Sequence, residues 1–272
     1  GATWSSSNTA IATIGSSSGI VSGVAAGTAT ITCFGTNGCT RTAVVTVNPL
    51  PAAITGSNTV CTGATTTLNS TTPGGTWTSS NAAVGTVSAG GGVVGGVSAN
   101  TVTITYTLST GCFRTYQMTV NATPTAFTPT TNALCIGNTV TFASTPGAGT
   151  WASSNTGVAT AGAGTGLISS VAVGITTISY THPTNGCVRT RVLTVNPLPA
   201  AIGGSTTICP ASTVTMTNSD AGGTWSSSNP AVGTIVTGTG ALTRISGGIT
   251  TITYTLSTGC IRTTYVTVIA AP

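Results

Sequence analysis

The sequence predicts an all-β protein made of tandem β-sandwich repeats of about 74 residues, the first of them incomplete. Composition is the first observation, because Thr, Ser, Gly, Val and Asn dominate and these residues form helices poorly. The second is the alternation of β-branched residues with polar ones, which suits a pleated strand with one buried face. The third is a motif that recurs around each of the four Trp residues.

The Trp residues set the length of the repeat. They are 73, 74 and 74 residues apart, and each begins a phrase such as WSSSNPAVGTI. Self-similarity of this period indicates a series of equivalent structural units. The repeated Trp residues are Trp4, Trp77, Trp151 and Trp225. The predicted units are residues 1–48, 49–121, 122–196 and 197–272, and the first lacks counterparts of the other units' first two strands.

Repeat 2 illustrates the strands of one unit. Seven short segments of strand-forming residues alternate there with turns rich in Gly, Pro, Ser and Asn, which is typical of an immunoglobulin-like sandwich. The predicted strands are residues 58–61, 65–69, 76–79, 85–88, 93–97, 101–108 and 113–120. The segments 48–54, 121–127 and 196–202 contain Pro and are expected to be short, stiff linkers.

The eight Cys residues predict disulfides and therefore an oxidising compartment. Separations of 51 or 52 residues predict one disulfide within each complete repeat: Cys61–Cys112, Cys135–Cys187 and Cys209–Cys260. An alternative register joins neighbouring repeats: Cys39–Cys61, Cys112–Cys135 and Cys187–Cys209. In repeat 1, Cys33 stands where the other repeats have Tyr, so a hairpin disulfide Cys33–Cys39 is expected. The alternative is that Cys39 pairs with a Cys upstream of this sequence.

The recurring phrases resemble known bacterial repeats. The pattern W-[ST]-S-[SN]-x-x-V-[AG]-T-[VI], followed by G-x-V-x-G-V-x-A-G-x-x-T-I-T, is similar to the bacterial immunoglobulin-like repeat of group 2. The phrases NPLPAAI, VCxG and GCxRT are similar to the PKD-like and immunoglobulin-like repeats of Bacteroidota surface proteins. The resemblance covers all four units, and it implies a bacterial cell-surface protein whose units serve as spacers and adhesive stalks.

Charged residues are few: the 272 residues include six Arg and one acid, Asp220. One acid supplies neither the two carboxyl groups of a glycosidase nor the carboxylates of a calcium site. His182 has no second His and lies in a different repeat from Asp220, so no Ser-His-Asp site is expected. We therefore expect no enzyme, cofactor or metal site. The sequence has no cluster of basic residues of the kind that predicts nucleic-acid binding. It also has no apolar run that approaches the roughly 20 residues of a membrane-spanning helix.

Two further sets of repeated residues have a structural and a functional interpretation. Four Arg residues recur two positions after a repeat Cys, where they are expected to stack on an aromatic ring or donate to loop carbonyls. As a ladder of cations they would instead bind acidic glycan. The four Trp residues are expected in the repeat cores, and the alternative is a platform for sugar stacking. The repeated Arg residues are Arg41, Arg114, Arg189 and Arg262.

These observations predict an extracellular structural protein, a subunit or segment of a stalk or filament. Repeat 1 would expose strand edges, so we expect either head-to-tail self-association by strand addition or coverage by neighbouring repeats of a longer chain. The alternative function is an adhesin that binds a glycan or a host surface. Recurrent Thr-x-Thr arrays also suggest ice binding, but a period of about 74 residues does not favour the flat array required.

Overall fold

The computed structural model describes residues 1–209 and 212–270, so residues 210–211 and 271–272 of the fourth predicted repeat lie outside the described residues. The described residues form strands and turns and include no helix. The all-β class predicted from the sequence is therefore confirmed. The chain divides into two compact units, residues 1–123 and 124–272, each containing two of the repeats.

Repeat 2 contains a complete two-sheet sandwich. Its strands are β6 (Thr59–Cys61), β7 (Thr65–Thr67), β8 (Thr76–Ser79), β9 (Gly85–Val87), β10 (Val93–Gly96), β11 (Asn100–Thr107) and β12 (Phe113–Asn121). One sheet has the order β6-β12-β11-β8 and the other β7-β10-β9. The first strand, β6, runs parallel to the last strand, β12, whereas every other pairing is antiparallel. Seven strands in these two sheets form an immunoglobulin-like sandwich.

Repeats 3 and 4 have the same two sheets. Repeat 3 consists of β13 (Ala133–Cys135), β14 (Thr139–Thr141), β15 (Thr150–Ser153), β16 (Ala159–Ala161), β17 (Leu167–Ser170), β18 (Gly174–Thr181) and β19 (Val188–Asn196). Repeat 4 consists of β20 (Thr207–Ile208), β21 (Val214–Thr215), β22 (Thr224–Ser227), β23 (Gly233–Ile235), β24 (Ala241–Arg244), β25 (Gly248–Thr255) and β26 (Ile261–Val268). In each of them the first strand again pairs with the last in parallel.

Repeat 1 contains five strands in two smaller sheets. They are β1 (Thr3–Ser6), β2 (Ala12–Ile14), β3 (Val21–Gly23), β4 (Gly27–Phe34) and β5 (Thr40–Val47). Their orders are β1-β4-β5 and β2-β3. In repeat 2 the counterpart of β5, strand β12, pairs with the first strand β6, and the counterpart of β3, strand β10, pairs with the second strand β7. Repeats 3 and 4 have the same pairings. In repeat 1, β5 and β3 are edge strands of the described sheets.

Alternating side chains build one apolar core in each of repeats 2, 3 and 4. Along β11, Val102, Ile104 and Tyr106 point inward and are at most 5% exposed. In each core the repeated Trp packs on the Tyr of the neighbouring long strand, with ring centroids 4.6 Å apart. A tilted aromatic pair of this kind adds to the free energy gained by burial.

The phrase after each Trp is explained by turn geometry. In repeat 2, Ser80 Oγ accepts a hydrogen bond from Thr103 N at 3.1 Å, and Asn81 Oδ1 accepts one from Ala83 N at 3.0 Å. Gly92 packs directly under the Trp77 ring with a φ of 64°, and a Cβ there would lie 3.1 Å from the indole. Both constraints require Gly at this position.

Candidate functional site

The polar residues that could support chemistry lie apart from one another. His182 is in the last hairpin of repeat 3, where its Nδ1 accepts a hydrogen bond from Thr184 N at 3.3 Å. Asp220 is in repeat 4, where its Oδ2 accepts one from Ala200 N at 2.7 Å. Within the described ranges, no group of three or more His, Cys, Asp or Glu residues could hold a metal ion. The side chains of His182 and Asp220 each accept a hydrogen bond from a backbone N–H group of their own repeat.

The most distinctive chemical feature is the junction between successive repeats. We use "junction" for the linker between two successive repeats together with three residues beside it. One is the Cys that ends the first strand of the preceding repeat, and the other two are the Cys and the Arg at the start of the last strand of the following repeat. At the junction of repeats 3 and 4, Cys135 forms a disulfide with Cys260, and their Cα atoms are 5.6 Å apart. Cys61 and Cys187 are also disulfide-bonded.

The predicted disulfides within repeats are therefore wrong. Cys135 bonds to Cys260 rather than Cys187, and Cys112 and Cys209 are free thiols, so Cys61–Cys112 and Cys209–Cys260 do not form. The parallel pairing of β13 with β19 explains this. It places Cys135 opposite Asn196, at the far end of the strand that follows Cys187. Nine residues of strand separate those positions by about 30 Å, whereas disulfide Cα atoms lie within about 7 Å.

The alternative register is also wrong, because it requires Cys39, Cys112 and Cys209 to be bonded and all three are thiols. The hairpin disulfide Cys33–Cys39 does not form either. In the β4–β5 hairpin, Cys33 pairs with Arg41, and the backbone of Cys39 pairs with Gly35. The two Cys residues are therefore offset diagonally by two positions across the hairpin.

Three of the four repeated Arg residues lie at the junctions. Arg114 Nε donates to the Pro51 carbonyl at 3.0 Å in the linker before repeat 2. The equivalent bonds join Arg189 to Pro124 and Arg262 to Pro199, both at 3.1 Å. A Pro carbonyl can accept a hydrogen bond although Pro has no N–H to donate. Each of these bonds ties the last hairpin of a repeat to the linker that leads into it.

The junction of repeats 1 and 2 contains a linker, Cys112 and Arg114, but no disulfide in the described residues. Cys112 is a partly buried thiol whose Sγ lies 3.8 Å from the Asn48 carbonyl oxygen. It is the counterpart of Cys260, which is bonded in repeat 4. Beside it is a groove of about 540 Å³ lined by residues that include Gly23, Asn48 and Arg114.

The Trp residues of repeats 2 to 4 present little surface to a sugar. Trp77, Trp151 and Trp225 are 5%, 5% and 6% exposed. Their Tyr partners have a further role that the sequence did not reveal. Tyr106 Oη donates to the Thr72 carbonyl at 2.6 Å and accepts from Gly75 N at 2.9 Å, which closes the turn before β8. The recurrence of Tyr at this position was the available signal.

Arg191 is a second structural residue that sequence reasoning missed. Its guanidinium donates to the carbonyls of Phe127, Pro129 and Thr131 at 2.7–3.2 Å. It also lies 5.4 Å and 5.2 Å from the ring centroids of Phe127 and Phe142. No sequence signal marked it, because no other repeat has Arg at this position.

No helix in the described part of the chain is long and apolar enough to cross a membrane. No protein-family model and no curated protein matches the sequence. Among solved structures, the chain is similar to the S-layer protein rSbsC(31-844), with 16% identity, a TM-score of 0.26, and coverage of 99% of this chain and 50% of that one. It thus spans half the length of that structure.

Two structures of animal proteins are also similar. For Drosophila N-cadherin EC1-4 the identity is 11% and the TM-score 0.28, with 100% of this chain and 92% of that chain covered. For the human Desmocollin-1 ectodomain the values are 9% and 0.23, with 100% and 72% covered. Because these TM-scores lie below 0.5, the function proposed below rests on this chain's own residues.

Proposed function

We propose that this chain is an extracellular structural protein, a subunit or segment of a surface stalk or filament. The observation that carries the proposal is the Cys135–Cys260 disulfide, which joins two successive repeats. A disulfide closed within one repeat would stabilise that repeat alone, whereas this bond cross-links the junction. Disulfides persist in oxidising environments outside the cytosol, which supports an extracellular location.

The junction gives such a protein mechanical continuity. Tension along the chain reaches repeat 4 through the linker and, in parallel, through the covalent Cys135–Cys260 bond. The Arg262–Pro199 hydrogen bond holds the same hairpin against the linker. The small number of charges favours close packing of neighbouring stalks, since few ions lose their hydration. The proposed function is non-catalytic.

Two finer parts of the proposal concern assembly and origin. The edge strands β3 and β5 of repeat 1 would allow head-to-tail polymerisation by strand addition. The resemblance of the NPLPAAI and GCxRT phrases to repeats of Bacteroidota surface proteins supports a place on a bacterial cell surface.

Electron microscopy of the purified chain in oxidising buffer tests the polymer. We expect end-to-end filaments that shorten when disulfides are reduced. Particles of single-chain mass under both conditions, checked by size-exclusion chromatography, would contradict polymerisation.

The alternative is an adhesin that binds glycan. A groove of about 300 Å³ in repeat 4 favours it, because Asn218, Asp220 and Thr239 line the groove and offer hydrogen-bonding groups. Binding to a glycan array that is lost on Asp220→Ala, but kept on Asn185→Ala, would favour the adhesin. Filaments with no glycan binding would favour the structural function.

A further inference from the structure

We propose that two copies of this chain bind each other through the larger sheet of repeat 4, with the outer faces packed together and the strands antiparallel. This sheet has the order β20-β26-β25-β22, and its outer face is the side that points away from the core. The inference rests on the proposed structural function and deepens it, because it names the surface through which neighbouring stalks pack. The evidence is an exposed apolar patch, a self-complementary order of side chains and the lack of charge.

Three large apolar side chains are exposed on the outer face of repeat 4. Ile249 is 63% exposed, Ile261 49% and Tyr265 73%. Ile249 pairs with Thr267, two residues from Tyr265 on the neighbouring strand, and side chains on such a diagonal are within reach of an aromatic ring. Ile249 and Tyr265 therefore form one apolar patch next to solvent, and contiguous patches of this kind mark interaction surfaces.

The register of β25 and β26 arranges the outer face in four rows that run across the strands. Each row contains one residue of each strand, and successive rows are about 6.6 Å apart. The rows are, in order, Ile249 with Thr267, Thr251 with Tyr265, Thr253 with Thr263, and Thr255 with Ile261. The first, second and fourth rows therefore each contain one large apolar residue, whereas the third contains only Thr.

This order of large and small side chains is self-complementary. A two-fold axis that runs across the strands, between the second and third rows, places the second row of one copy on the third row of the other and the first row on the fourth. The facing pairs are then Tyr265 with Thr263, Ile261 with Thr267, and Ile249 with Thr255. Every large side chain meets a Thr, so the faces interdigitate as the inner faces of packed sheets do. Contact of one surface with itself across a two-fold axis is the commonest form of association.

Repeat 3 has the same pattern on its own outer face. Ile175, Val188 and Val192 occupy the equivalent positions and are 64%, 47% and 56% exposed. The same two-fold operation again places each of them opposite a Thr. In repeat 2 two of the three positions are polar, Thr101 and Gln117. The outer face of repeat 2 is therefore a natural control on the same chain.

The lack of charge on the outer face of repeat 4 favours a second copy as the occupant. Within the four described strands of this sheet, Arg262 is the only charged residue. It pairs with the buried Tyr254, on the inward-facing register, and its Nε donates to the Pro199 carbonyl. The chain has a formal net charge of +5, so two copies repel each other at the surfaces that bear Arg but not across this face.

The size of the outer face predicts a weak contact. The strands β25, β26, β22 and β20 contain 8, 8, 4 and 2 residues. At about 3.3 Å per residue and about 4.8 Å between strands, they cover about 350 Å² on each copy. Two copies together provide about 700 Å² in projection, which is less than the roughly 1,200 Å² of a stable pair, so we expect micromolar association. Many such contacts between stalks would add up by multivalency.

Sedimentation equilibrium of the full chain tests the contact, after the free thiols have been capped so that no disulfides form between copies. We expect a micromolar monomer–dimer equilibrium that sodium sulfate leaves unchanged or strengthens, since no ions pair across the face. Tyr265→Arg should weaken association at least about tenfold, because it buries a charge against apolar side chains. Gln117→Arg changes the equivalent position of repeat 2 and should have no effect. A chain that stays monomeric, or equal effects of the two variants, would overturn the proposal.

A charge pair tests the antiparallel register. Thr263→Glu alone should also weaken association. In an equal mixture of the Thr263→Glu and Tyr265→Arg chains, the introduced Glu of one copy faces the introduced Arg of the other, so association should recover at least about tenfold over either variant alone. No recovery, with both variants shown to be folded by an unchanged Tm, would overturn the proposal.

Two further outcomes separate this contact from the other proposals. A chain that stays monomeric and binds a glycan array, with binding lost on Tyr265→Arg, would assign the face to a carbohydrate and overturn the contact between copies. Dimers without filaments would count against the polymer alone, and filaments without Tyr265-dependent dimers would count against this contact alone.

Discussion

Removing the disulfide between repeats 3 and 4 should destabilise the chain by an amount that its loop length determines. The perturbation is the double substitution Cys135→Ala with Cys260→Ala, which avoids leaving a stray thiol or a buried hydroxyl at the fully buried Cys260. The bonded residues are 125 positions apart. In the chain-entropy model, releasing a loop of this length lowers the free energy of the unfolded state by about 5 kcal/mol at 25 °C, because the chain gains entropy.

The measurement is urea denaturation followed by Trp fluorescence. Losses on removing native disulfides are typically about 2–5 kcal/mol, so with an m-value of about 2 kcal/mol/M the midpoint should fall by about 1–2.5 M. The matched control is Cys33→Ala with Cys39→Ala, which removes two free thiols and should leave the midpoint nearly unchanged. An unchanged midpoint in the disulfide variant, or an equal shift in the control, would refute the reasoning.

Three further substitutions test the packing of repeat 3 by thermal denaturation. Tyr180→Phe should cost about 1–3 kcal/mol, because Tyr180 Oη accepts from the buried Gly149 N at 2.7 Å; no fall in Tm would contradict this. Gly166→Ala should lower the free energy of unfolding by about 1–3 kcal/mol, since φ is 69° and a Cβ would collide with the Phe142 carbonyl. Gly147→Ala is the control: a Cβ there meets open space, so the substitution should be nearly neutral. Arg191→Met should cost about 1.5–3 kcal/mol through its lost carbonyl contacts, and a neutral result would show that those contacts contribute nothing net.

The strands of this chain were predictable because their sequence signals are local. Alternation along β11 reflects one buried and one exposed face, and Gly/Pro turns mark its ends. In repeat 2 every observed strand end lies within two residues of the prediction. The Trp period likewise gave the repeat, since each Trp requires the same Gly beneath its ring.

The disulfide register was not predictable from spacing alone. Pairing Cys135 with Cys187 is consistent with the 52-residue separation, but the separation does not tell which end of the last strand the first strand reaches. The parallel pairing of β13 with β19 decides this and puts Cys135 at the linker. An immunoglobulin-like sandwich can pair its first and last strands in this direction, so applying that topology to the Cys positions would have favoured a bond between repeats.

Long-range contacts between side chain and backbone were also beyond the sequence. Arg262 reaches Pro199 across 63 positions, and Arg191 reaches Phe127 across 64. Recurrence after each Cys marked Arg262 as a residue of interest but could not identify its acceptor. Arg191 does not recur, so only its position beside two Phe rings reveals its role.

Disulfide mapping of the native protein tests the central claim most directly. Digestion under non-reducing conditions, followed by mass spectrometry, identifies which Cys-containing peptides are linked. The account predicts a linked pair containing Cys135 and Cys260, which separates on reduction. A pair linking Cys135 to Cys187, together with one linking Cys209 to Cys260, would show that each repeat closes on itself and would contradict the cross-linked junction.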